Sequence, residues 1–237
     1  MDEAARVARA LQRWGEHPER FVREALGAVP EPWQEEVLAQ IARGRRRIAI
    51  RSGHGVGKTA LQAWLMLWFG TTRADAKIPA TAPTSHQLVD LLWGEAAKWR
   101  LALAERLPTL GEAIEIRADR IDFLPWRSTA YARTSRRDQS EALQGFHAAN
   151  LMFLIDEGSG VDDRVFETYW TTDRGTEIAD WSYGLLDLTT YGRQEGWQDS
   201  PPGWPVAAPA AAWRVDGRPT VQWRVTDEPA AGSGGCH

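Results

Sequence analysis

Apolar residues recur at helical spacing over residues 2–28. Val7, Leu11 and Trp14 fall on one stripe between charged neighbours, which predicts an amphipathic helical segment. Beyond Pro30 and Pro32, residues Trp33 to Ile41 repeat the pattern as a second helix. The period then changes. Arg46 to Arg51 reads as a short strand around Ile48 and Ile50, and a glycine-rich turn follows. Lys58 to Phe69 has the length and composition of a helix buried on every side. Lys77 to Ala82 predicts a second strand. Ser85 to Leu107 predicts a long helix with Ser85 as its N-cap and Pro108 as its stop. Three short strand patterns come next, at Ile114 to Ile116, Ile121 to Leu124 and Thr129 to Arg133. Residues 136–145 are polar, a loop with a short helix. Leu151 to Ile155 is a run of five apolar residues, the pattern of a strand buried on both faces. Strands alternating with helices predict an α/β fold around a mostly parallel sheet flanked by helices. No repeat of solenoid length interrupts this order.

The pattern fades after Glu167. Ile, Leu, Val, Met and Phe supply 42 of the first 167 residues but 8 of the last 70. The tail is rich instead in Gly, Pro, Ala, Thr and Trp. It has little aliphatic surface to set against its conformational entropy, so Trp204 onward is expected to be poorly ordered. The organisation read from this is an N-terminal helical segment (1–29), one α/β domain (30–195) and an atypical tail (196–237).

Charge narrows the possible partners. The net charge is −4, and the last 70 residues hold 5 Arg against 9 Asp and Glu, which leaves the first 167 neutral. A generally basic nucleic-acid-binding surface is excluded, and any DNA contact has to come from local patches. No run of 18 apolar residues exists, so no membrane span is expected. The start, Met1-Asp2-Glu3, has neither the basic residues nor the apolar stretch of a secretory signal. The single cysteine, Cys236, cannot staple the fold and fits a reducing cytoplasm.

Two short segments carry chemistry. Ser52-Gly53-His54-Gly55-Val56-Gly57-Lys58-Thr59 fits the phosphate-loop pattern G-x-x-x-x-G-K-[ST], with Ser52 where the first glycine is expected. The glycines let successive N–H groups turn inward on an anion, and the helix beginning near Gly57 adds its positive end. Lys58 is expected to reach the β- and γ-phosphates of ATP, and Thr59 to offer its hydroxyl to Mg²⁺. His54 and Val56 sit inside the loop; His54 reads either as a nucleotide contact or as a plain loop residue. The second segment is the apolar strand 151–155 ending in Asp156-Glu157. Ligands of open α/β sheets bind at the carboxyl ends of strands, so these carboxylates are expected beside the loop. Asp156 is the candidate for Mg²⁺, and Glu157 for the base that orients or deprotonates an attacking water. The two motifs, in this order, predict a Mg-dependent ATPase.

In this setting the chain resembles the N-terminal ATPase domain of the large terminase subunit, the motor that packages DNA into tailed-phage heads. Four segments carry the resemblance over about residues 30–167. Pro32-Trp33-Gln34-Glu35-Glu36-Val37-Leu38 is similar to the family's adenine-recognition segment. The stretch from Ile48 to Thr59 is similar to its phosphate loop. Ala80 to Gln87 resembles its helicase-like segment, and Ala142 to His147 with Asp156 to Val161 resembles its acidic motif and flanks. The resemblance implies a RecA-like P-loop NTPase fold, Trp33 and Gln34 at the base, and Arg51 assisting charge in the transition state. A solvated strand-end residue is the other reading of Arg51. It further implies double-stranded DNA as the moved substrate, a portal protein and a small terminase subunit as partners, a homo-oligomeric ring, and the cytoplasm of a bacterial host.

Two departures bear on this. The family's coupling motif has no match better than Leu186 to Tyr191, and no nuclease domain follows, so nuclease activity is not expected. The alternative is therefore a truncated, inactive nucleotide-binding prophage remnant. Arg133, Arg136 and Arg137 form a local basic patch that reads either as a solvated loop or as a contact to DNA phosphate or a neighbouring subunit.

Overall fold

The computed structural model describes residues 3–44, 47–52, 55–134, 148–158, 161, 181–189, 214–215, 218–219 and 222–226. The amphipathic start forms α1 (Glu3–Glu16) and α2 (Pro18–Arg20), which runs into a π-helical turn over Phe21–Ala25. The apolar stripe faces inward: Trp14 is buried, and Phe21 meets it edge-on with ring centroids 5.7 Å apart. Helix α3 (Pro32–Ala42) follows, with Pro32 in its first turn, where a missing N–H costs nothing.

Strand β1 (Arg47–Ser52) leads through the glycine-rich turn into α4 (Lys58–Thr72). Every residue of α4 from Leu61 to Thr71 is buried, as a helix apolar on all faces requires. Strand β2 is Lys77–Ala82. The long helix expected next contains a π-helical stretch (Gln87–Trp93) before α5 (Gly94–Arg106). Pro108 ends that helix and also begins another, α6 (Pro108–Glu112), because proline is as suited to a first turn as it is unsuited to an interior. Strands β3 (Ile114–Ile116), β4 (Arg120–Phe123), β5 (Ser128–Thr134), β6 (Asn150–Ile155), β7 (Trp181–Thr189), β8 (Arg214–Val215), β9 (Arg218–Pro219) and β10 (Gln222–Thr226) complete the described elements.

The main sheet runs β10-β1-β7-β6-β2-β5-β4-β3. Its centre, β1-β7-β6-β2-β5, is parallel throughout; β10 closes one side and the β4–β3 pair the other, all antiparallel. Strands β8 and β9 form a separate pair. Because the central five are parallel, all their carboxyl ends lie on one edge of the sheet. That edge receives both motifs read from the sequence.

The helices cover the sheet with a continuous apolar core that includes Val37, Leu38, Leu65, Trp68, Phe69, Leu92 and Leu103. Full burial of one such large side chain is worth about 1.5–3 kcal/mol. The polar handles are placed with care. The indole N–H of Trp68 donates to the carbonyl of Trp14 at 2.6 Å, which ties α1 to α4. Ser128 accepts from the backbone N–H of Ala76 at 2.9 Å and donates to the carbonyl of Arg73 at 2.7 Å, which locks β5 to the start of β2. Most of the atypical tail, 196–237, including most of the stretch from Trp204 expected to be poorly ordered, lies outside the described residues; its β10 pairs with β1 through Ile48 opposite Val225.

Candidate functional site

Asp156 and Glu157 follow β6, and the glycine-rich turn follows β1, so both stand on the same edge of the sheet. One strand, β7, lies between them. Strands neighbour each other at about 4.8 Å, which puts the ends of β1 and β6 about 10 Å apart, a gap that suits a polyphosphate better than a direct ion pair. Thr189 at the end of β7 is in register with Ser52 at the end of β1.

The turn has the backbone the sequence calls for. Gly55 and Gly57 are left-handed, at φ 75° and 92°. Gly57 caps α4, and Lys58 is the first helical residue, 8% exposed. The first N–H groups of a helix have no intrahelical acceptor, so this end offers donors and the positive end of the helix dipole to an anion. Val56 and Thr59 are half-buried beside them. Ser52 ends β1, and Arg51 precedes it opposite Leu188 and Gln222. The side chains of Arg51 and Ser52, and the whole of Gly53 and His54, lie outside the described residues.

Across the edge, Asp156 is 5% exposed, and its backbone N–H donates to the carbonyl of Thr81 at 2.9 Å. Glu157 is half-buried and takes a left-handed backbone, φ 50°, an uncommon state for a residue with a side chain.

Helix α3 reaches the turn through Gln34, 3% exposed. Its Oε1 accepts from the backbone N–H of Glu31 at 2.8 Å, and its Nε2 donates to the carbonyl of Gly57 at 2.8 Å. Trp33 packs half-buried against the core. Sequence reasoning missed Gln62, which is buried one turn after Lys58 and donates to the carbonyl of Ile155 at 3.4 Å. A lone glutamine inside a largely apolar helix is its signal. Thr81, inside the segment Ala80 to Gln87, accepts the Asp156 N–H at its carbonyl.

Arg133 lies at the end of β5, its guanidinium 5.6 Å from the Tyr131 ring centre, and donates to the carbonyl of Ala132 at 2.9 Å. With Ser85, Leu88, Val89, Asp119 and Thr134 it lines an open cleft of about 260 Å³ on the same sheet edge. Arg136, Arg137 and the flank from Ala142 to His147 lie outside the described residues.

A curated relative, the probable terminase large subunit of Enterobacteria phage P7, is 26% identical over 144 residues, which is 60% of this chain and 29% of that protein. The large terminase of bacteriophage HK97 superposes with a TM-score of 0.57 at 16% identity, covering 77% of this chain and 39% of that one. The large terminase ATPase domain of Thermus phage P74-26 superposes with a TM-score of 0.56 at 19% identity, covering 79% of this chain and 76% of that one. The chain is thus similar to the large terminase subunits of phages. It shares their RecA-like α/β fold and spans less than a third of the P7 protein's length. A second likeness overlaps the first. The family model described as "Bacterial protein of unknown function (DUF899)" matches residues 124–228, which take in β5, the acidic strand and most of the compositionally distinct tail. Among the described residues, no helix is long and apolar enough to cross a membrane.

Proposed function

We propose that this chain is an ATP-hydrolysing motor domain of a phage DNA-packaging terminase large subunit, which couples hydrolysis to movement of double-stranded DNA. The observation that carries the reading is the buried Asp156 carboxylate on the same sheet edge as the Lys58 turn, one strand removed. The residues fit a magnesium nucleotide. A buried cation at a helix N-terminus suits the β- and γ-phosphates. Thr59 beside it and the buried Asp156 supply the hard oxygen ligands that Mg²⁺ takes. Bound there, the ion would neutralise charge on the phosphates.

Each side chain then has a task. Lys58 and the N–H groups from Ser52 through Thr59, with His54 and Val56 in the loop, hold the phosphates. Glu157 orients an attacking water and accepts its proton. Arg51, next to the loop, balances charge in the transition state. DNA, a portal protein, a small terminase subunit, a ring of like subunits and the host cytoplasm belong to this reading through the family likeness.

A second reading is a nucleotide-binding domain without turnover. The strand after the acidic one favours it, because β7 and the residues at its end, Leu186 to Tyr191, carry no good match to the family's coupling motif.

The test is phosphate release from ATP and Mg²⁺ by the purified chain beside Lys58→Ala and Glu157→Gln. Turnover by the native chain, lost in both variants, supports the ATPase. Release no faster than that of Glu157→Gln, with nucleotide still bound, favours the second reading.

A further inference from the structure

Both ends of the Gln34 amide are committed to backbone. One partner, the Glu31 N–H, can only donate, and the other, the Gly57 carbonyl, can only accept, so a single orientation of the amide satisfies both. The contact joins positions 23 residues apart. It is also tight: a Cβ on Gly57 would lie 2.7 Å from Gln34 Nε2 and would push the amide off its carbonyl, besides the strain of a φ of 92°. The Gly57 carbonyl accepts a second bond, from the Leu61 N–H at 3.1 Å, which occupies its remaining lone pair.

That carbonyl belongs to the peptide unit whose N–H is on Lys58. The unit is planar and trans, so its C=O and N–H point in opposite directions. Holding the carbonyl down toward Leu61 and Gln34 therefore aims the Lys58 N–H outward, to the place an anion would occupy at the head of α4. We propose that Gln34 is a positioning residue of the phosphate loop, setting the Gly57–Lys58 peptide and with it the affinity for phosphate, and that it does not select the base. The proposal rests on the phosphate-loop reading above. It departs from the adenine contact that the family resemblance implied for Gln34. An adenine edge needs a donor and an acceptor together on an open amide, whereas this amide is 3% exposed with one site of each kind already taken.

The experiment uses the full chain and Gln34→Glu. The carboxylate still accepts from the Glu31 N–H, which keeps the helix cap, but has no N–H for Gly57. Binding of ATP, GTP and inorganic triphosphate is measured by competition against a fluorescent nucleotide, with Lys58→Ala as the phosphate-loop control. Backbone hydrogen exchange over residues 57–61 is measured without nucleotide. All three ligands are expected to weaken by the same factor, about tenfold, the usual consequence of losing one buried hydrogen bond. Exchange at the head of α4 is expected to quicken by a similar factor. A loss confined to ATP, with GTP and triphosphate unchanged, would overturn the proposal in favour of base reading. Unchanged binding and unchanged exchange would overturn it outright. If the native chain binds none of the three, the phosphate-loop reading itself falls and the proposed role falls with it.

Discussion

The side-chain amide of Gln62, in α4, reaches the carbonyl oxygen of Ile155, the last residue of the acidic strand, at 3.4 Å. This joins the helix that begins at Lys58 directly to the residue before Asp156. The bond is long and therefore weak, and Gln62 Oε1 has no hydrogen-bond partner among the described residues. A buried, half-satisfied amide costs about 1–3 kcal/mol, which an apolar residue of similar size avoids. We predict that Gln62→Leu leaves the melting temperature unchanged or raises it, while kcat falls at least tenfold with KM for ATP held. Unchanged turnover would reduce the contact to a packing accident.

The N-terminal helix is predicted to belong to the same cooperative unit as the sheet. Trp68→Phe keeps a ring under the Arg73 guanidinium, 4.2 Å away, and removes the N–H that Trp14 accepts. The Trp14 carbonyl keeps its bond from the His17 N–H, which limits the loss to about 1–2 kcal/mol. Thermal unfolding should show that loss in a single transition. Limited proteolysis should show faster cleavage within α1. A separate early transition for α1 would mean that it is an independent appendage.

What the sequence made legible was whatever local periodicity and local motif determine. Ile48 and Ile50, the run 151–155 and the apolar helix after Lys58 each announce their burial within one window, and β1, β6 and α4 are where that reading puts them. The juxtaposition of the Lys58 turn with Asp156 followed from strand polarity alone. Non-local pairings were hidden. Nothing near Gln222–Thr226 says that it will meet β1, and the poverty of aliphatic residues around Trp181–Thr189 concealed a strand at the centre of the sheet. Gln34 was singled out only through the family resemblance, and its partner Gly57 is a backbone carbonyl, which no side-chain pattern can reveal.

Glu157 combines a proposed chemical task with an awkward backbone, φ 50°. The left-handed state costs a residue with a Cβ about 1–2 kcal/mol, and glycine gives part of that back through its larger unfolded-state entropy. Glu157→Gly is therefore predicted to stabilise the fold by about 0.5–1 kcal/mol and to abolish turnover. Glu157→Gln, which keeps the Cβ and with it the backbone strain, should abolish turnover without that gain in stability. Chemical denaturation of the three proteins separates the effects. A glycine variant less stable than the native chain would show that contacts of the Glu157 side chain outweigh its backbone strain.

Packing beneath the sheet edge offers a test that should leave chemistry untouched. Gly70, in the last turns of α4, lies against Phe123 of β4 so closely that an added Cβ would sit 2.4 Å from the ring. Alanine favours a helix interior over glycine by about 1 kcal/mol. Phe123 is fully buried and has no room to retreat, and overpacking of this kind costs about 1–3 kcal/mol. We predict that the clash wins and Gly70→Ala lowers stability by about 1 kcal/mol. Adding Phe123→Leu should recover part of the loss, a positive coupling between touching sites. Because Gly70 lies three turns beyond Lys58, KM for ATP should stay within twofold of the native value at a temperature where both proteins are folded. A stabilised Gly70→Ala would mean that β4 yields to the helix and that the edge strands are softer than the core they cover.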